Sequence, residues 1–492
     1  MKAHWRSITA ALLGLFVLAG SVVGYRVLTN PGWSLKKFQT QPLNWSSCYG
    51  NFDCTSFKVP VDYNAIDDRT FTLQVLRHKA IDQRNRLGAL IVNPGGPGGS
   101  GVDYAYNADS IVSPALISKY DIVGFDPRGV NTSEPIRCLS DKAEDEFLAN
   151  DGQASNMQEV RAMVAKAKNF AASCARAAGD RIGHYSTLEG AKDMEILRLA
   201  LGEKKLNYLG KSYGTYLGTL YAALYPNSIG HMVLDGAVDP NVSLKEQDLI
   251  QAQGFDQALN DFLASQHKFT LADIEKLIAD AKEKPMVTTH QRSATQALII
   301  TAIAASLYDN QAGWPKLAIA LTQAINYKNP NELLSIADDY YQRDSFGKYV
   351  NNENDISNII TCSDWSVKDS PEQMLADRSR FQAAAPIFGP FLNFAGLTCK
   401  YWKAAPVALK RKLTNIKTPP IIVIGVTRDP ATPYLWSKAL AGDLTNSVLL
   451  TFDGEGHTGH GRGNSCIDSK VDAYFLTGQS PAPGLVCVAS GN

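Results

Sequence analysis

Six short runs are apolar almost throughout, and all but the fifth end in Asn, Gly or Asp: "ALIVN" (89–93), "YDIVGFD" (120–126), "LNYLG" (206–210), "HMVLDG" (231–236), "PIIVIGV" (420–426) and "VLLTFDG" (448–454). A strand that faces water on one side alternates apolar and polar residues. A strand covered on both faces does not. Helical patterns separate most of these runs, so the chain reads as a parallel sheet with helices on both faces. Between about 241 and 410 the strand signal stops. "LADIEKLIADAKEKP", "SATQALIITAIAASLY", "WPKLAIALTQAINY" and "NELLSIADDYYQR" are amphipathic helical segments, and strands resume at Pro420. One α/β domain is expected over 40–240 and 411–492, with a helical insertion over 241–410.

The N-terminus has a different character. Lys2 and Arg6 precede "SITAALLGLFVLAGSVVGY", 19 residues without a charge, and Arg26 follows. This is a basic n-region and an apolar h-region. Its length lies between a signal peptide and a spanning helix, which needs about 20 apolar residues. Residues 1–30 are therefore expected to be a signal peptide, with Val17 and Ala19 as the small residues before cleavage, or an uncleaved membrane anchor. Either places the bulk of the chain outside the cytoplasm. The first cysteine after this segment is Cys48, which argues against a lipid-modified cysteine at a cleavage site.

The eight cysteines fit export, since an even count in an exported chain favours disulfides. Joining neighbours gives Cys48–Cys54, Cys138–Cys174, Cys362–Cys399 and Cys466–Cys487. The chain has no Cys-x-x-Cys, and its histidines do not cluster with thiols, so neither a metal nor a cofactor is expected. The 48 basic residues balance 48 acidic ones. That argues against nucleic acid as the main partner, because phosphate binding needs a basic surplus.

The apolar run at 206–210 leads into "GKSYG", residues 210–214, and then into a helical pattern over 213–225. Gly-x-Ser-x-Gly between a strand and a helix fits the nucleophile elbow of α/β-hydrolases. A tight turn holds the serine, and flanking glycines remove the side chains that would collide with strand and helix. Ser212 is thus the candidate nucleophile. Its base should follow later in the chain, after an acid. His457 stands in "FDGEGHTGHG", just past the last apolar run; His460 is its rival in the same loop. For the acid, Asp429 ends "IIVIGVTRD" and Asp235 ends "HMVLD" one strand earlier. Asp429 is preferred, because Asp429-Pro430 makes a rigid turn at a strand end. Oxyanion donors are expected from the Tyr213 N–H and from Gly96 in the glycine-rich "IVNPGGPGGSG" (91–101).

"NPGGPGGSG", "FDPRGVNTS", "GKSYGTYLG", "LDGAVDP", "TRDPATP" and "GEGHTGHG" occur in the order found in exported tripeptidyl aminopeptidases of actinobacteria, which this chain resembles from about residue 40 to its end. These are α/β-hydrolases related to proline iminopeptidases, and some relatives are called carboxylesterases. The resemblance implies an α/β-hydrolase fold with a mostly parallel sheet and a helical lid. It implies Ser212, Asp429 and His457 as the triad and Gly96 and Tyr213 as oxyanion donors. It also implies a peptide substrate with a free N-terminus. Two positions depart from the proline iminopeptidase pattern. Asn93-Pro94 precedes Gly95-Gly96-Pro97-Gly98, where that group usually has His before the glycines. Asn131 replaces the second glycine of "DPRGxGxS", and Asn tolerates the positive φ such a turn requires.

An aminopeptidase must hold an α-ammonium group. Asp364, in "IITCSDW" near the end of the insertion, is the expected partner, with Glu353 and Asp355 as alternatives. The leading function is a serine aminopeptidase releasing tripeptides or other short peptides through an acyl-enzyme. The alternative is an exported carboxylesterase or lipase with the same triad; the charged, amphipathic insertion leans away from lipid. A catalytically dead binding protein is disfavoured because all three triad positions are filled.

Overall fold

The structure, a computed structural model, describes residues 34–489 apart from 151, 290, 291, 408, 410 and 411. The apolar segment near the N-terminus lies outside the described residues. Among these residues no helix is long and apolar enough to cross a membrane.

Ten strands form one sheet. They are β1 (Ser46–Cys48), β2 (Phe52–Pro60), β3 (Thr70–His78), β4 (Gly88–Asn93), β5 (Tyr120–Phe125), β6 (Leu206–Lys211), β7 (Ile229–Asp235), β8 (Ile421–Arg428), β9 (Ser447–Glu455) and β10 (Val486–Val488). Their spatial order is β1-β2-β3-β5-β4-β6-β7-β8-β9-β10. The first three strands pair antiparallel, as does β3 with β5; from β5 to β10 every pair is parallel. This is the α/β-hydrolase architecture the apolar runs call for.

The six expected runs are the six central strands. β4 and β5 are buried at every position, which is why their sequences carry no alternation. Side chains alternate between two cores. Ile91 and Tyr208 face one that includes the helices Thr187–Ala200 and Tyr213–Leu224. Leu90, Val92 and Leu209 face the other, with the helices Pro114–Lys119 and Ser465–Thr477. After β4 the chain steps to β5 on one side, then returns to β6 on the other. Ligands bind at such a reversal, beyond the C-terminal ends of the strands.

Between β7 and β8 the described residues form helices from Leu244–Gln266 to Leu397–Lys400. The four helical segments read from the sequence are the helices Leu271–Glu283, Gln296–Leu307, Gly313–Tyr327 and Asn331–Tyr340. They build a core of their own around Leu259, Phe262, Leu298 and Leu317. Four disulfides join Cys48 to Cys54, Cys138 to Cys174, Cys362 to Cys399 and Cys466 to Cys487, each a neighbour in sequence.

Candidate active site

Ser212 sits between β6 and the helix Tyr213–Leu224 with φ 54° and ψ −127°. A non-glycine residue adopts positive φ at a cost and is held there by its surroundings. Here the Ser212 N–H donates to the Asp235 carbonyl at 2.9 Å. The flanking glycines are obligatory. A Cβ on Gly210 would lie 2.5 Å from the Gly214 carbonyl oxygen, and one on Gly214 would lie 2.6 Å from Asn93 Oδ1. The Tyr213 N–H is the first of its helix and precedes any intrahelical acceptor.

The glycine-rich loop after β4 folds directly over this turn. A Cβ on Gly95 would stand 2.9 Å from Ser212 Cβ and 3.1 Å from the Tyr213 nitrogen. Gly95, Gly96 and Gly98 all have φ near +100°. Gly96 and Tyr213 line one cavity together with Ser212. Asn131 does adopt positive φ, 41°, and its amide donates to Ser100 Oγ and to Asp103 Oδ2, both at 3.1 Å.

His457 and Asp429 meet. His457 Nδ1 lies 2.9 and 3.0 Å from the two carboxylate oxygens of Asp429. The same carboxylate accepts the N–H groups of Ala431, Thr432 and Thr458 and the Thr432 hydroxyl. A carboxylate held by so many donors stays an acceptor, so Nδ1 carries the proton and Nε2 keeps its lone pair. Thr432 escaped the sequence reading; its place three residues after the acid, in the turn "DPAT", was the available signal.

The rival residues are not placed for the role. His460 is buried, and burial pushes its imidazole down to about 3, so it is neutral at ordinary pH. Asp235 is fully buried, and its carboxylate accepts the Gly459 and His460 N–H groups at 2.7 and 3.0 Å. Lys211, next to the serine, donates to the His460 carbonyl at 2.6 Å and faces Asp235 at 3.9 Å. This buried set ties the histidine loop to β6 and β7.

The cavity beside Ser212 measures about 330 Å³. Tyr216, Trp365 and Trp436 supply aromatic wall, with Trp365 stacked on Tyr216 at a centroid distance of 5.1 Å. Asp364 does not reach it, contrary to the expectation from sequence. The Asp364 side chain turns inward, accepting the Thr187 N–H at 2.7 Å and the Thr187 hydroxyl, and burial pushes its carboxyl up to about 8. Trp365, its neighbour, takes the cavity position. Asp355 is likewise committed, to the Cys138 N–H at 2.7 Å. Glu353 Oε1 stands 3.3 Å from where a Cβ on Gly96 would be.

The acid that does line the cavity is Asp248, on the helix Leu244–Gln266. Among the described residues it is the one charged side chain in that wall, and no hydrogen bond or ion pair engages its carboxylate. Burial holds it well above the usual carboxylate range. In "SLKEQDLIQ" it looks like any polar residue of an amphipathic helix, which is why the sequence did not reveal it.

The chain matches relatives along most of its length. Serine protease Hip1 of Mycobacterium tuberculosis is 33% identical over 519 residues, covering 99% of this chain and 98% of the relative. Tripeptidyl aminopeptidase of Streptomyces lividans is 31% identical, covering 90% of this chain and 86% of the relative. The model of the TAP-like protein family matches residues 385–487. The chain belongs to the tripeptidyl-aminopeptidase-like family of α/β-hydrolases. Carboxylesterase B of M. tuberculosis, 34% identical over 88% of this chain and 86% of the relative, lies in the same range of similarity. As a member of this family the chain is a serine hydrolase.

Proposed function

We propose that this hydrolase is an exported aminopeptidase that releases short peptides, tripeptides foremost, from free N-termini. Ser212 Oγ attacks the scissile carbonyl carbon while its proton passes to His457 Nε2. Asp429 holds the imidazolium that results. The oxyanion is received by the N–H groups of Gly96 and Tyr213. Collapse breaks the C–N bond, and the leaving amine takes the proton from Nε2. Water, deprotonated by the same nitrogen, then hydrolyses the acyl-enzyme. The helical segment 241–410 acts as a lid over this machinery. Four disulfides and the apolar N-terminal segment support export.

The observation that carries the substrate class is Asp248. A desolvated carboxylate without a partner is costly, and it persists where a cationic ligand completes it. An α-ammonium group has the charge and the three donors to do so. A neutral ester has neither. Asp248 replaces Asp364 as the amine partner in this reading, and Glu353, close to Gly96, is the second acid within reach of the site.

The test compares a free tripeptide amide, its N-acetyl form and a small neutral ester on Asp248→Asn, with Ser212→Ala as control. Losing one partner of a desolvated charge pair costs roughly 2–5 kcal/mol. At about 1.4 kcal/mol per decade, kcat/KM on the free peptide should fall about 30-fold to several-thousand-fold. Ester hydrolysis should stay unchanged. Ser212→Ala should abolish every activity and all labelling by a fluorophosphonate. An ester that is cleaved while free and acetylated peptides are not would favour the carboxylesterase reading. An equal loss on all substrates would give Asp248 a structural role.

A further inference from the structure

A second chamber of about 400 Å³ adjoins the catalytic cavity. The two share Gln251, Tyr308, Asn358, Leu392 and Ala395 as walls. The chamber lies among the helices between β7 and β8 and the segment 147–167. Phe147, Phe255, Phe388, Phe391 and Phe394 give it an apolar lining. Lys166, exposed on the helix Met157–Ala178, is the one charged residue among its described walls.

We propose that this chamber is the leaving-group subsite: it receives the residue that follows the scissile bond and favours an aromatic or large aliphatic side chain there. The assignment rests on the aminopeptidase reading above. Three observations carry it. First, the leaving amine must take its proton from His457. Tyr308 packs edge-on against that imidazole at a centroid distance of 5.1 Å and also forms the wall shared with the chamber. The histidine side of the site therefore opens toward the phenylalanines. Second, the charges are ordered. The catalytic cavity carries Asp248, suited to the amine end of a substrate, whereas the described walls of the chamber carry no acid that would compete for that amine, their one charged residue, Lys166, being bonded to the Asn150 side chain. Third, an apolar wall of this extent that is open to substrate gains free energy only when an apolar group covers it.

The experiment uses the full enzyme and three substrates with one acyl part: Ala-Ala-Ala-Phe-amide, Ala-Ala-Ala-Gly-amide and Ala-Ala-Ala-amide, with products identified by mass. The third substrate leaves ammonia and places nothing in the chamber. Wild-type kcat/KM should favour Phe over Gly by about tenfold or more, the scale of discrimination in an apolar pocket. Two variants narrow the chamber from different sides. Ala304→Trp projects from the helix Gln296–Leu307. Gly152→Trp projects from a loop, where an added Cβ meets only Phe391, at 3.7 Å. In each, the Phe preference should collapse toward unity while the tripeptide amide is cleaved at the wild-type rate. The rate of fluorophosphonate labelling at Ser212 verifies folding, and either variant that labels normally suffices. Peptides cleaved by the wild type without Phe preference would overturn the assignment. So would variants that leave the preference intact, or that lose all three substrates equally while still labelling. A wild type that cleaves none of the three but does cleave esters would overturn the aminopeptidase reading, and this assignment with it.

Discussion

Asp364 is buried and Asp248 partly so, and what surrounds their carboxyls differs. Asp364 gains the Thr187 N–H and hydroxyl, and Thr187 Oγ1 also lies 2.5 Å from the Tyr213 hydroxyl oxygen. Asp248 gains nothing from the protein. The first is a structural acid, and the second is the acid proposed to meet the substrate's amine. The structural one has a testable signature. Burial raises Asp364 from the usual 3.8 to about 8, so between those values the native state keeps a proton that the unfolded chain releases. The native state then binds more protons, and stability falls as pH rises through that window, with a limiting slope of about 1.4 kcal/mol per pH unit from this group. Asp364→Asn cannot ionise and preserves the contacts with Thr187. Melting between pH 5 and 8 should be less pH-dependent in the variant. Glu144 and Asp355, raised by burial to about 7 and about 6, should retain part of the slope. An unchanged slope would mean that Asp364 is already ionised in the native state.

At the scale of elements, the sequence was most legible where one requirement acted alone. Strands buried on both faces must be apolar throughout, and the six that fit this rule were all readable. β2 and β3 were not, because they alternate: "FDCTSFKVP" buries Asp53, Thr55, Phe57 and Val59 on one face and exposes Ser56 and Lys58 on the other, so no continuous apolar run marks it. The elbow was legible because its glycines answer to steric contacts that no other residue survives. The proposed amine partner, Asp248, was not, because an acid on an amphipathic helix becomes special only when tertiary packing closes a cavity around it. Disulfides bridge these levels. Cys362–Cys399 spans 37 residues and ties the helix Glu353–Asp364 to Leu397–Lys400, with Cys399 in the cavity wall. Cys48–Cys54 spans 6 residues at the sheet edge. On the chain-entropy account the first contributes about 4 kcal/mol and the second about 2. Replacing Cys362 and Cys399 together by Ser should shift the denaturation midpoint about twice as far as the same change at Cys48 and Cys54. It should also lower peptide turnover, which the edge pair should not. Equal midpoint shifts would refute the loop-length argument.

At the scale of the whole molecule, the helical segment does more than cover the sheet, since it also holds a loop of the site. The His457 N–H donates to the Tyr308 carbonyl at 2.8 Å, so the backbone of the candidate base is held by the helical segment. Arg462, five residues on, donates to Asn310 Oδ1 at 2.9 Å and Asp309 Oδ1 at 3.3 Å in the next turn of that segment, and to the Glu455 carbonyl at 2.8 Å within its own loop. Any displacement of this turn therefore pulls on the base. Asp248 lies on a different helix of the same segment, so on the proposed function one body carries both amine recognition and part of the support of the candidate base. The two contributions separate by substrate. Asn310→Ala removes a contact to the histidine loop while leaving the loop's internal bonds to Arg462. It should lower kcat on peptide and small ester alike, by up to about tenfold, the effect of losing one charge-assisted hydrogen bond at the low end of its range, about 1.5 kcal/mol. Arg462→Ala removes the internal bonds as well and should cost more, again equally on both substrates. Asp248→Asn should act on free-amine peptides alone. If Asn310→Ala raised KM for peptides and spared the ester, the turn would be a recognition element, and the base would be held by the core loop without it.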